Sequence, residues 1–300
     1  MLKLGFIGAG TVGTSLAVRL SRAGYNVTSV ASRSLSSSQR LSSLVGGVNV
    51  YESLQGAADN SDLVFITTPD DAIPVVVNQV RWNRGQFVVH CSGADSLDVL
   101  EPARASGAVT GSFHPLQTFA SIQKAIENLP GSTFALEGQG ELLNVLKNMA
   151  GALEGRYIEL GAGDKAAYHT AAVMTSNYLV TLVKLSTDLW GSFGIPREQA
   201  VQALLPLLKG TLNNLENLGV PKALTGPIAR GDSGTVQIHL NTLKETAPAI
   251  LPAYCEMGLQ TVPVALAKGK INEIKARELL DIFENTLKTC TEREDKCAQC

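Results

Sequence analysis

Through the first 160 residues the apolar positions fall in short unbroken runs. Residues 2–7, 26–31, 63–67, 87–91, 109–113 and 133–136 are each too short for a globular helix and are bounded by glycine or polar clusters, the pattern of strands buried on both faces. Between them, residues 11–23, 36–44 and 140–150 repeat their apolar positions at helical spacing. Strand alternating with helix predicts a parallel, doubly wound sheet. At Gly161-Ala162-Gly163 the pattern changes. Residues 164–193, 196–218, 235–245, 249–268 and 272–290 all carry a helical period. Asp164 is placed to favour the N-terminus of the first of these, and Gly219-Val220-Pro221 and Thr225-Gly226-Pro227 read as turns between them. The expected organisation is an α/β domain over 1–160, an all-helical domain over 161–290, and a polar, frayed tail over 291–300.

Composition narrows the classes. At 300 residues with 45% hydrophobic content the chain can bury two moderate cores. A net charge of -2 and 5% aromatic residues argue against a nucleic-acid surface. No apolar run approaches the ~18 residues of a membrane span, so no membrane partner is expected. The opening MLKLGFIGAG fits a first strand and loop better than a signal peptide. Five cysteines (Cys91, Cys255, Cys290, Cys297 and Cys300) form no framework, which suggests reduced thiols and a cytoplasmic protein. The histidines at 90, 114, 169 and 239 lack zinc-site spacing, and no metal is expected. The terminal Cys297 and Cys300 read as incidental.

The sharpest motif is Gly8-Ala9-Gly10-Thr11-Val12-Gly13, a GxGxxG between a strand and a helix. In that context Gly8 permits the tight turn, Gly10 admits a pyrophosphate, Gly13 allows close helix–strand packing, and the helix N-terminus offers unpaired N–H groups. An NAD-binding chain would carry an acid about 20 residues further on. Here Ser32, Arg33 and Ser34 stand there, and no carboxylate occurs between Gly13 and Glu52. A guanidinium and hydroxyls suit a 2′-phosphate, so NADP(H) is favoured. Against this stands the plainer reading of Arg33 as a solvated loop residue. Thr68 and Pro69 after the fourth run, and Ser92 after the fifth, occupy the strand ends that border a ligand crevice, or are ordinary turn residues. Asp70 and Asp71 read as solvated, and Cys91 as a small core residue.

Three places offer groups for acid–base chemistry or substrate binding. Lys165, His169 and Ser176 lie on nearly one helix face, with Asn177 turned away by about 120°. A lysine at a helix N-terminus opposes the helix dipole, which suggests a role in polarising a carbonyl. A surface lysine beside a core histidine is the alternative. His114, directly after a strand and before Pro115, either faces the crevice or caps a turn. Arg230, in the turn LTGPIARGD, either clamps a substrate carboxylate or pairs with Asp232 at the surface.

GFIGAGTVGTSL, VASRS, TTPDDAI, HCSGA, SFHPLQTF, KAAYHTAAVMTSNYLVTL and ALTGPIARGD together resemble a bacterial family over about residues 1–285. Its members join a Rossmann domain to a helical domain long catalogued as of unknown function. The wider superfamily includes β-hydroxyacid dehydrogenases, pyrroline-5-carboxylate reductase, prephenate dehydrogenase and ketopantoate reductases, and some members of this family are an alternative type of ketopantoate reductase. The resemblance implies hydride transfer and a helical domain used in dimerisation. In β-hydroxyacid dehydrogenases a lysine is followed four residues later by asparagine. Lys165 matches the lysine, while His169 departs from the asparagine and is raised as a second proton donor or a substrate orienter. His114-Pro115 is similar to the His-Pro of prephenate dehydrogenases. The expectation is an NADPH-dependent reductase of a small 2-oxo acid, with ketopantoate first. Lys165 and His169 would supply the proton, with His114 a third candidate, and Arg230, Ser176 and Asn177 would hold the substrate. A cyclic-imine reductase and a non-catalytic NADPH-binding protein are the alternatives.

Overall fold

The computed structural model describes residues 1–298, with side chains described through Cys290. It is a doubly wound α/β unit followed by a helical region, as the periodicities imply. Eight strands, β1 (Lys3–Ile7), β2 (Asn26–Ala31), β3 (Asn49–Tyr51), β4 (Leu63–Ile66), β5 (Phe87–His90), β6 (Val109–Leu116), β7 (Thr133–Glu137) and β8 (Arg156–Glu159), form one sheet in the order β3-β2-β1-β4-β5-β6-β7-β8. The helices of this part are α1 (Thr11–Arg22), α2 (Leu35–Val45), α3 (Leu54–Asp59), α4 (Ile73–Gln79), α5 (Glu101–Ala105), α6 (Ile122–Asn128) and α7 (Gly140–Ala152).

The sheet buries both faces. On one, Leu16, Leu20, Leu142 and Leu146 of α1 and α7 pack over a row of rings, Phe6, Phe65, Phe113 and Phe134. On the other, Ile73, Val76, Val77 and Ala103 of α4 and α5 cover Val64, Ile66 and Val88. This two-sided burial is why the central strands read as unbroken apolar runs rather than as alternations.

One departure from the expected all-parallel sheet is the β6–β7 pair, which is antiparallel. The connecting helix α6 has seven residues and spans about 10 Å. The chain re-enters the sheet at the end where β6 leaves it, with Thr133 opposite Leu116, so β7 runs in the opposite sense. The same pairing extends β6 beyond its expected end. His114 and Pro115 lie inside the strand, opposite Ala135 and Phe134, and the expectation of a histidine just past the strand is corrected accordingly. Pro115 is tolerated because the β5 pairing stops at Ser112, leaving that edge of β6 without a ladder partner.

The last strand ends at Glu159, beside the expected change of character, but the compact unit runs on to Asn177. It takes in the first half of α8 (Asp164–Gly191), whose first residue accepts the Gly161 N–H through Oδ2 at 2.8 Å.

From Tyr178 onward the chain forms a second unit. Besides the end of α8 it holds α9 (Arg197–Leu218), the one-turn α10 (Pro227–Arg230), α11 (Ser233–Thr246), α12 (Leu251–Ala267) and α13 (Glu273–Ala298). Its core joins Val236 and Leu240 to Leu251, Val262, Leu279 and Phe283. Gly258 lets α12 approach α13 closely, since a Cβ there would meet the Phe283 ring at 2.5 Å. The tail expected from residue 291 is helical through Ala298. Cys300 and the side chain of Cys297 lie outside the described residues.

Candidate functional site

The carboxyl ends of four strands line up across the sheet. Ile7 pairs with Ile66, Ile66 with His90, and His90 with Ser112. Just past this row stand the glycine loop, Thr68, the Ser92-Gly93 turn and His114. The strand order reverses between β1 and β4, the switch point at which open α/β sheets form their ligand crevice.

The loop is built as its glycines require. Gly8 has φ +108°, and a Cβ there would meet the Thr67 carbonyl carbon at 2.7 Å. Gly13 presses against Thr67 Oγ1 and the Gly8 carbonyl oxygen, where a Cβ would come within 2.3 Å and 2.4 Å. Thr67 Oγ1 in turn donates to the Gly8 oxygen at 2.7 Å. Gly10 faces open space and begins α1 with no side-chain cap and no acid in the first turn. The N–H groups of Thr11, Val12 and Gly13 therefore remain available to an anion. Beside the loop, Thr68 Oγ1 is buried without a hydrogen-bond partner, as expected of a group awaiting a ligand. These features fit a dinucleotide pyrophosphate.

At the end of β2, Arg33 is exposed and Ser32 half-buried. Ser34 caps α2, accepting the Ser37 N–H at 3.4 Å, so its hydroxyl serves the helix first. Arg40, which sequence reasoning passed over, reaches from α2 to the Ala9 carbonyl oxygen at 3.4 Å and brings a second cation beside the loop. Pro69 is exposed. Ser92 is buried, and its Oγ accepts the N–H groups of Ala94 and Asp95 at 3.2 and 3.0 Å; its side chain holds the turn that presents Gly93.

Two polar groups sit side by side where α8 meets β6. The first is closed. Lys165 is 2% exposed, and its Nζ donates to Glu137 Oε2 and to Ser112 Oγ, both at 2.6 Å. Ser112 donates to the same carboxylate oxygen at 2.7 Å. Burial pulls the Lys165 ammonium below its usual range, against the Glu137 carboxylate, which supports the charge. Neither Glu137 nor Ser112 was singled out from sequence as a site residue.

The second group is open. A cleft of about 610 Å³ is bounded by β6, the segment after it and α8; His114, Phe119, Tyr168, His169, Ser176 and Asn177 are among its walls. His114 Nδ1 lies 2.7 Å from Tyr168 Oη, and the ring centroids of His114 and His169 are 6.2 Å apart. Gly93 makes this approach possible. A Cβ there would stand 2.6 Å from His169 Nδ1 and 2.8 Å from His114 Nε2. Burial, reinforced by the Lys165 charge, lowers the His114 pKa to about 4, and burial raises the Tyr168 phenol to about 12. His90, at the end of β5, is pulled down to about 3 by the same two causes. Its Nε2, the His169 Nδ1 and the Asp95 Oδ2 are buried without partners.

The structure therefore brings His114, His169, Ser176 and Asn177 to one cleft and places Lys165 behind its wall. Tyr168 was missed, because a tyrosine inside an apolar helix carries no signature of its own. Arg230 belongs to the second unit, where it is exposed. Asp232 does not pair with it there. Its carboxylate caps α11, accepting the Thr235 N–H at 3.0 Å. Cys91, partly buried against the sheet core, has its thiol pushed up to about 12 by burial.

A doubly wound sheet with a glycine-loop crevice at its switch point, followed by a helical region, defines the class. Residues 1–115 match the family model of the Rossmann-like domain. Residues 132–261 match that of a domain of unknown function, DUF2520. The chain thus joins a region that matches the Rossmann-like model to one that matches the DUF2520 model, in agreement with the resemblance read from its motifs. The second match starts at β7, inside the sheet, so it takes in Glu137, Lys165, Tyr168 and His169.

No curated protein matches the chain. Among solved structures, a candidate NADP oxidoreductase from Bacteroides fragilis is 25% identical with a TM-score of 0.68, over 87% of this chain and 98% of that one. A reductive aminase from Aspergillus terreus, in complex with NADPH and ethyl-5-oxohexanoate, is 17% identical with a TM-score of 0.61, over 96% and 94%. A 1-pyrroline-5-carboxylate reductase from Streptococcus pyogenes is 17% identical with a TM-score of 0.60, over 93% and 98%. At that identity the last two speak for the fold alone.

Proposed function

We propose that the protein is an NADPH-dependent reductase of a small carbonyl or imine compound. The observation that carries this is the row of strand ends, which sets an anion-receptive helix N-terminus and a cleft of acid–base side chains along one edge of one sheet. In this reading the N–H groups at Gly10–Gly13 hold the pyrophosphate and Arg33, with Arg40 nearby, meets the 2′-phosphate. Thr68 and the Ser92-Gly93 turn border the rest of the cofactor. NADPH supplies a hydride when bound. His114, Tyr168, His169, Ser176 and Asn177 face the substrate.

Ketopantoate is the first substrate to test, on the strength of the motif resemblance, with Arg230 as the group that would hold its carboxylate. A second reading, a cyclic or open-chain imine, is favoured by one feature of the cleft: no lysine or arginine is among its lining residues. Such a wall suits a neutral or cationic substrate better than a carboxylate. The experiment is to follow NADPH and NADH oxidation by the purified chain with ketopantoate, other 2-oxo acids, and imines. Consumption with the oxo acids, and its loss in Arg230→Ala, would support the first reading. Consumption with imines alone would support the second. Tight NADPH binding without turnover of any of these compounds would leave a non-catalytic binding protein. Arg33→Ala should weaken NADPH binding about 10- to 100-fold and leave NADH binding nearly unchanged.

The working unit in this proposal is a homodimer. Across the 22 residues of α9 only Ala200 is buried, while Leu207, Leu212, Leu215 and Leu218 are exposed. Monomeric proteins seldom leave so large an apolar face open. Sedimentation of the purified chain would test it.

A further inference from the structure

We propose that the proton donor of the reduction is the phenol of Tyr168, oriented by His114, and that Lys165 anchors α8 instead of donating. This rests on the reductase reading above and deepens it.

Access decides between the two donors. Lys165 Nζ has a 3% exposed side chain and is turned to Glu137 and Ser112. It is not among the residues that line the cleft. For a substrate in the cleft to take its proton, α8 would have to part from β6 and leave a carboxylate buried without its partner, a costly step. Tyr168 lies one helical turn further along α8, lines the cleft, and holds its hydroxyl on His114 at 2.7 Å.

The pair also has the right proton content. His114 is held neutral, with a pKa of about 4, so it carries one ring proton. With that proton on Nδ1, the imidazole donates to Tyr168 Oη and leaves the phenol hydrogen free to point into the cleft. With it on Nε2, Nδ1 accepts the phenol hydrogen instead. A neutral imidazole that gave up its only N–H would become an imidazolate, so the proton that leaves is the phenol's. As the substrate carbon gains hydride from the reduced nicotinamide, the C=O or C=N π pair moves to the heteroatom. That atom takes the Tyr168 proton as the O–H bond of the phenol breaks. The phenolate left behind accepts the His114 Nδ1–H hydrogen bond. It regains a proton from water once product leaves. Gly93 completes the arrangement, because any side chain there would push His114 off this line.

The test uses the full chain and the substrate found active above. Tyr168→Phe should lower kcat by roughly 100-fold or more, with KM and NADPH affinity changed by no more than about threefold. His114→Asn, whose amide can stand in for Nδ1, should keep more activity than His114→Phe. Lys165→Met combined with Glu137→Gln removes both charges and keeps the side-chain volumes, and should retain kcat to within about tenfold. A readout apart from turnover is the pair of His114 ring-nitrogen resonances, which should shift in Tyr168→Phe without any substrate. Near-wild-type kcat in Tyr168→Phe, or unmoved His114 nitrogens, overturns the proposal while the reductase reading stands. A wild-type chain that turns over neither carbonyls nor imines overturns both.

Discussion

Two clusters one turn apart on α8 have opposite characters. Lys165, Glu137 and Ser112 satisfy one another, their side chains are shut away, and three hydrogen bonds of 2.6–2.7 Å close the set. Around His114 and Tyr168 the groups line open space, two of the three histidines nearby have a buried nitrogen without a partner, and a glycine leaves room for the rings. A satisfied buried network fixes structure, and an unsatisfied polar one beside a cleft marks a place for a ligand. The ionisable residue that stands out most in the sequence, Lys165, belongs to the structural cluster. Its neighbours, which stand out less, belong to the chemical one.

That contrast can be broken by experiment. The largest effect should come from Lys165→Ala. It leaves Glu137 buried and unpaired, which should cost about 3–5 kcal/mol of stability, measured by denaturant unfolding. A loss below about 1 kcal/mol would mean that the cluster is not structural. Gly93→Ala should come next, at about 1–3 kcal/mol, because its Cβ would stand 2.6 Å and 2.8 Å from two imidazole nitrogens. Activity should fall with it, since both rings must move.

Acidification should act more mildly. His90 and His114 titrate near 3 and 4 in the folded chain, against about 6.5 when unfolded. Between these values the unfolded chain binds more protons, so the stability that neutral burial confers at neutral pH is lost as pH falls from about 6.5 toward 4. Unfolding at about pH 7 and at about pH 5 should differ by on the order of 1–2 kcal/mol per histidine. The smallest stability change should be that of Tyr168→Phe, under about 1 kcal/mol. Set beside a large loss of turnover, it would separate the two clusters most cleanly.

The parts legible in the sequence are those where one physical demand acts on consecutive residues. Two-sided burial wrote the six main strands as apolar runs, and the turn before α1 fixed Gly8, Gly10 and Gly13 in a recognisable order. β3 and β8 escaped notice because they lie at the sheet's edges, where three- and four-residue strands with exposed positions lose the pattern. The sense of β7 was hidden because alternation of strand and helix does not record at which end of the sheet a connection returns the chain. The clusters were partly legible. Lys165, His169 and Ser176 shared a helix face, but the partners that divide their roles come from distant segments. Glu137 and Ser112 sit on neighbouring strands, and Gly93 comes from a turn more than 70 residues from His169. A glycine between HCS and AD was the available signal, since a turn at a strand's carboxyl end often owes its glycine to close approach.

The nearly uncovered α9 has a consequence for how abundance governs this protein. If its apolar face is satisfied only by another copy, folding and assembly share one equilibrium, and dilution acts as a denaturant. The thermal midpoint should climb with chain concentration. A cell making few copies would hold a larger fraction of them open to proteases than one making many, without any change in the residues that bind or react.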